Sequence, residues 1–276
     1  MPHHHIVFHA RPDYLAWGWR ADILLVLGMF GLLYSLGWWR LRRKGVQSAT
    51  IWRLTSHWGG QLFLFAALIS PIDSLQAVLF SAHMTQHILL TMFAPPLLWL
   101  ANPYPFLLWG LPRKVRLSVR HLMSGKANFR RVMRQATQPF VAWLLYACLM
   151  WGWHDPILYS VAIEIEWLHD MEHISFFGSA MLFWWHVVNT GPLIHGRHKD
   201  AMKILYVLGA VFASLGPAVA ITFSSTIIYQ HYLMVHHDFA LTTLNDQRIG
   251  GLIMWIPGGM MYMFAALILF INIPKE

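Results

Sequence analysis

The sequence predicts an all-α polytopic membrane protein of seven transmembrane helices, with the N-terminus outside and the C-terminus cytoplasmic. Three observations predict it. The 276 residues are 57% hydrophobic and 12% charged, about half the charged share of a soluble domain. Apolar runs of roughly 18 residues or more, the length that crosses a bilayer, recur along the chain. Lys and Arg gather in alternate connectors, the pattern that marks cytoplasmic loops. Backbone polar groups find no water partner in lipid, so the apolar runs are expected to be helical.

The first span is expected at Ala21–Trp38, closed by Trp39 and a basic connector holding Arg40, Arg42, Arg43, Lys44 and Arg53. The second covers Leu54–Ser70. The third, Leu79–Leu100, contains Pro95-Pro96, which should kink it. Its connector carries Arg113, Lys114, Arg116, Arg120, Lys126, Arg130, Arg131 and Arg134. The fourth span, Pro139–Trp153, is short and is drawn between Gln138 and the Trp151-Gly152-Trp153 group. The fifth, Trp167–Val188, is followed by Arg197, Lys199 and Lys203. The sixth, Ile204–Ser224, and the seventh, Ile249–Ile271, are interrupted by Pro217 and Pro257. The remaining connectors are nearly free of Lys and Arg and hold Asp73, Asp155, Glu164, Glu166, Asp238 and Asp246.

One domain is expected over 1–276, with a His-rich extracytoplasmic tail at 1–20 and a basic cytoplasmic loop at 102–138. The net charge of +8 is then topology and contact with anionic lipid, with an amphipathic helix expected at the inner surface. Nucleic acid is not expected as a partner, because the basic loop has little aromatic interleaving to stack bases. Trp17, Trp19, Trp38, Trp39, Trp151 and Trp153 fall where indoles commonly anchor at the membrane interface. The single Cys148 excludes an internal disulfide and any multi-thiolate metal site, and is expected as a small buried hydrophobe. The first twenty residues show no cleavable signal pattern.

The histidines carry the functional signal. His83 and His87 open the third span, His154 ends the fourth, and His169 and His173 open the fifth. The expected topology sets all five at one depth near the outer face. Residues four apart on a helix differ by about 40° in direction, so each pair shares a face. Ionisable groups inside spans are costly and mark function. A metal site is therefore expected at these five residues, in preference to hydrogen bonds between helices.

Glu172 and Asp246 are possible supporting carboxylates, although Glu172 flanks its histidines instead of sharing their direction. Asp246 is expected first as a helix N-cap, and Gly250-Gly251 should let another helix approach closely. Met84, Met171 and Met254 are possible soft ligands, with core packing the more ordinary role. His57 and His186 lie deeper and are expected to be structural or to belong to a separate site. His3, His4, His5 and His9 form either an external metal-capturing tail or a solvated run.

Imidazole-rich sites without thiolate suit copper, zinc, nickel or iron. Haem between histidines of two helices is an alternative. Hydrolysis is another, since His169-x-x-Glu172-His173 matches a short zinc-peptidase signature in which the glutamate is the base.

Several motifs together resemble one family. They are Ser81-Ala82-His83-Met84-Thr85-Gln86-His87 with the later Pro95-Pro96 and Asn102-Pro103, and Trp153-His154-Asp155-Pro156 with Tyr159. The others are His169-x-x-Glu172-His173 with Phe183-Trp184, and Asp246-Gln247-x-x-Gly250-Gly251-x-x-Met254-Trp255. From about Leu54 to Ile271 the chain resembles the multi-span CtaG family of assembly factors for caa-type cytochrome c oxidases. The resemblance implies a bacterial plasma-membrane protein, not an enzyme, that helps supply copper to a haem–copper oxidase. It implies an oxidase subunit or another copper chaperone as partner. It maps the family's histidines onto His83, His87, His154, His169 and His173, with Asp246 and Met254 from the last span. The His-rich N-terminus and the long basic loop lie outside the family pattern.

Overall fold

Helix runs through all seven apolar stretches of a computed structural model that describes residues 16–124, 128–192, 194–196, 199–235 and 239–273. No strand forms among the described residues. The principal helices are α1 (Ala21–Arg43), α2 (Ile51–Leu68), α3 (Phe80–Ile88), α4 (Ala94–Leu100), α5 (Pro139–Trp153), α6 (Glu166–Val188), α7 (Asp200–Phe223) and α8 (Thr243–Ile271). A π-helical turn, Leu89–Phe93, joins α3 to α4.

By length and composition α1, α7 and α8 are able to cross a membrane. The described residues form an all-helical membrane protein. Large apolar side chains such as Leu25, Leu32, Phe212, Phe264 and Phe270 point out of the bundle, as lipid contact requires and water would not favour. α6 is 23 residues long but carries Glu166, His169, Asp170, Glu172 and His173 in its first turns, and that polarity separates it from the three apolar helices.

Two prolines are accommodated by the same device. A carbonyl four residues before a proline loses its helical N–H partner. Thr91 faces Pro95 in the α register and Pro96 in the π register, so neither supplies a donor. The Trp184 indole N–H donates to the Thr91 carbonyl instead, at 2.9 Å. The carbonyl of Ala213, four residues before Pro217, accepts from the Trp151 indole, also at 2.9 Å.

Close packing of α8 depends on its paired glycines. A Cβ at Gly250 would lie 2.3 Å from Phe80 Cδ1, and one at Gly251 would lie 2.5 Å from Thr222 Oγ1. α8 therefore sits directly against both α3 and α7, as expected for Gly250-Gly251. A buried aromatic layer of Phe80, Tyr159, Tyr229 and Tyr232 closes over the ends of these helices that carry Phe80, Thr222 and Gly250. Phe80 stacks on Tyr229 with centroids 4.5 Å apart, and the Tyr159 and Tyr232 hydroxyls are 2.6 Å apart.

Three expectations are corrected. Cys148 is exposed on the outside of the bundle instead of buried, because its face of α5 meets no neighbouring helix. Trp151 and Trp153 are more than interface anchors, since Trp151 supports the Pro217 break and Trp153 donates to Ser175 Oγ at 2.7 Å. Asp246 does not cap its own helix; Thr242 does, accepting from the Asn245 N–H. The basic loop folds as two amphipathic helices, Arg113–Leu122 and Asn128–Ala136. His3, His4, His5, His9, His198, His236, His237 and Asp238 lie outside the described residues.

Candidate metal centre

α3 needs help to start. Its N-cap residue, Leu79, has no side chain that can accept from the first-turn amides. The cap comes from another helix: the buried Asp246 carboxylate of α8 accepts the Phe80 N–H at 2.6 Å and the Ser81 N–H at 3.2 Å. The Ser81 hydroxyl donates to the same carboxylate. An anion at a helix N-terminus is favoured by the helix dipole, and here it fixes where the turn bearing His83 begins. Asp246 thus supports the histidines through the backbone of α3, not by bonding an imidazole.

α3 and α6 place their polar residues face to face. His83 and His87 rings lie 4.2 Å apart and His169 and His173 rings 4.1 Å apart. Across the interface His83 is 5.4 Å from His169 and His87 is 5.5 Å from His173, between ring centroids. Glu172 projects between the pairs. Its Oε1 lies 3.7 Å from His83 Nε2 and 3.5 Å from His87 Nε2. Two ligand atoms on one tetrahedral ion with bonds near 2.0–2.1 Å stand about 3.3 Å apart. His83, His87 and Glu172 form one buried group whose ligand atoms all lie within 4.8 Å of one another. Glu172, expected to flank its histidines, is instead central, because it is α3 and not α6 that supplies the imidazoles in its direction.

Seven buried atoms at this interface make no hydrogen bond: His83 Nε2, both ring nitrogens of His87, His169 Nε2, His173 Nε2 and both Glu172 oxygens. Each such group costs about 1–3 kcal/mol, and a whole domain is stable by only about 5–15 kcal/mol. The set is chemically one-sided as well. His83 Nδ1 lies 3.1 Å from Gln76 Oε1, which can only accept, so the proton sits on Nδ1 and Nε2 presents a lone pair. That lone pair faces a carboxylate. Acceptors facing acceptors need either a proton or a metal cation between them, and these residues fit a metal ion on that ground.

The other sequence-expected residues are distributed unequally. His154 lies beside the cluster, not against Glu172: its Nδ1–H donates to the Met150 carbonyl at 2.6 Å, and its ring packs on Phe176 at 6.0 Å. Met84 and Met254 are buried next to His87 and line a small cavity with it. Met171 is half exposed and faces away, which removes it from the site. His57 stacks flat on Tyr34 at 3.8 Å, and the His186 Nε2–H donates to the Thr137 carbonyl at 2.8 Å, so both lie outside the centre.

Several contributors carry no signal of their own in the sequence. Gln76 sets the His83 tautomer. Gln86 donates to Asp73 Oδ1 and to the Ala67 carbonyl, both at 2.8 Å, tying α3 to α2 and the connector. Burial pushes the Asp73 carboxyl above its ordinary value, and the Gln86 amide pulls it back only in part. Gln247 of α8 holds the connector after α7, accepting the Ile228 N–H at 2.7 Å and donating to the Thr226 carbonyl at 3.1 Å. Arg20 grips Asp170 with two bonds, 2.6 and 2.9 Å, fastening the start of α1 to the turn of α6 that carries His169 and His173. Beside that clasp a groove of about 410 Å³, lined by Arg20, Asp22, Asp170, Phe177 and His173, opens on the flank of the bundle.

A family model described as cytochrome c oxidase caa3 assembly factor, Caa3_CtaG, matches residues 32–276. Among curated proteins the chain is 26% identical over 249 residues to uncharacterized proteins of Mycobacterium bovis and Mycobacterium tuberculosis. An uncharacterized protein of Mycobacterium leprae is 25% identical over 260 residues. Each match covers 86% of this chain and 36% of the relative, so the chain spans about a third of their length. No solved structure matches.

Proposed function

We take as premise that the chain belongs to the cytochrome c oxidase caa3 assembly factor family, and we propose that it holds copper for that oxidase at the centre built on Glu172. The observation that carries this reading is the set of seven buried atoms, contributed by α3 and α6, that make no hydrogen bond. His83, His87 and Glu172 would form the core of the ligand set, with His169 and His173 within a short closing motion. A thiolate-free set of imidazoles and one carboxylate accepts copper or zinc, and the family's role in oxidase assembly selects copper. The ion is cargo, and no catalytic step is assigned to the chain.

The alternating basic connectors support seven crossings of a bacterial plasma membrane, with the N-terminus and the metal centre on the outer side. An oxidase subunit or a copper chaperone is then the partner on that side. The two basic helices, Arg113–Leu122 and Asn128–Ala136, rest on anionic lipid at the inner surface.

The alternatives fare less well. The enclosed space between His87 and His154 is about 20 Å³, far below the several hundred Å³ of a cofactor pocket, which disfavours haem there. Glu172 lies among the imidazoles as a ligand would, which leaves the hydrolytic reading without its free base. Metal analysis tests the proposal, comparing purified wild type with Glu172→Gln and with a His83→Ala/His173→Ala pair. Loaded with copper(II), wild type should retain an ion that both variants lose. Equal copper(II) in all three proteins would remove the centre.

A further inference from the structure

We propose that a second, softer site lies beside the Glu172 centre: a thioether chamber that takes a monovalent copper ion. The inference extends the copper-handling reading but rests on different residues. Met84 of α3, Met92 of the π turn, Met150 of α5 and Met254 of α8 are each at most 6% exposed. With His87, His154 and the hydroxyl-bearing Thr91, Ser214 and Tyr262 they line a small cavity of about 20 Å³.

That volume admits one atom-sized guest. A cavity needs roughly 10–15 Å³ to hold a water, and the water also needs two to four polar partners. Thioethers are weak acceptors, and the wall hydroxyls of Thr91, Ser214 and Tyr262 are already hydrogen-bonded to the His87 and Val211 carbonyls and to Tyr146, so a water finds little beyond the two imidazoles to hold it. Methionine is the most adaptable filler of irregular cores, yet four of them surround a void instead of closing it. Soft thioether ligands select monovalent copper over zinc and other divalent ions. Charge points the same way, since neutral thioethers offset no ionic charge and a divalent ion in a low-dielectric site is the costlier guest.

His87 supplies the link to a ligand. Its Nε2 lies 3.5 Å from Glu172, while its Nδ1 is a second buried nitrogen without a hydrogen bond. The ring is part of the chamber wall. His154 spends its Nδ1–H on the Met150 carbonyl, which leaves Nε2 as a lone-pair nitrogen on another wall residue. One imidazole therefore borders two compartments of different hardness: a carboxylate centre suited to a divalent ion and a thioether chamber suited to a monovalent one. The chamber receives copper already reduced, and no electron moves in this proposal.

The test uses the full chain in detergent without oxygen. Copper(I) is delivered from a competing chelator, with silver(I) as a redox-inert second probe. X-ray absorption of selenomethionine-labelled wild type should show selenium bound to copper. Met92→Leu/Met150→Leu, a nearly volume-conserving change, should weaken copper(I) and silver(I) binding about tenfold or more while zinc(II) binding stays intact. Glu172→Gln should do the reverse. Absence of selenium around copper in wild type, unchanged copper(I) affinity in the leucine variant, or joint loss of zinc and copper(I) in it would each overturn the chamber. If the leucine variant does not fold, the wild-type selenium signal decides alone. Zinc binding unaffected by Glu172→Gln would sink the Glu172 centre and leave the chamber standing.

Discussion

Asp246 and Phe80 are 166 positions apart in sequence and 2.6 Å apart in space, the carboxylate of one accepting the backbone N–H of the other. The helix that carries His83 and His87 therefore begins where the last helix allows it to begin.

Asp246→Ala should destabilise the protein by about 1–3 kcal/mol, the range for leaving buried amides without a partner. Asp246→Asn keeps an acceptor and should lose less. Thermal unfolding in detergent checks both. An Ala variant as stable as wild type would mean that α3 starts without this cap.

Glu172 predicts opposite signs with and without metal. In chelator-treated protein, Glu172→Gln removes a buried charge that makes no hydrogen bond, and should raise the unfolding temperature. With copper present, wild type should be the more stable, because a ligand that binds only the native state stabilises it by mass action. Unfolding curves with and without chelator should cross over between the two proteins. Parallel shifts would contradict the assignment.

Gln76→Leu leaves the metal-facing atoms untouched but frees the His83 Nδ1–H. Loss of such an outer hydrogen bond typically weakens metal affinity about 10–100-fold. Competition with a chromophoric chelator measures it. Unaltered affinity would show that the tautomer is set by something else.

Asp73 gives a pH signature. Burial raises its carboxyl above the ordinary 3.8, so the folded state holds the proton where the unfolded chain has released it. Its contribution to stability is present below the unfolded value and is lost as pH rises through the raised folded one. Asp73→Asn should flatten the acid-side slope of stability against pH and be the more stable protein at neutral pH. An unchanged slope would count against a half-buried, titrating Asp73.

Trp184→Phe should cost at least about 1–3 kcal/mol, because the Thr91 carbonyl then has no donor in either helical register. Trp167, two thirds exposed, supplies the control, and Trp167→Phe should be neutral by thermal unfolding. Equal effects at both positions would assign the loss to aromatic area instead of the carbonyl.

Much of the architecture was legible because it is local. Apolar runs located every principal helix, and four-residue spacing identified His83 with His87 and His169 with His173 as pairs on shared faces. What meets between helices was not legible. Glu172 lies one position before His173, about 100° away, and only the placement of α3 turns that direction toward His83 and His87. Gln76 and Asp246 act across connectors whose course no periodicity encodes. Cys148 looked like core because its helix is apolar all round, and an apolar helix in lipid does not reveal which side meets protein.

The π turn at Leu89–Phe93 leaves a lasting geometric debt. His83 and His87 lie before it and the proline anchor lies after it, so their mutual orientation is set by the number of residues in between. Removing any one of them would swing His83 and His87 about 100° around their axis while leaving every side chain's chemistry as it was. Among relatives, then, a change of length in this short stretch should matter more than a change of letter.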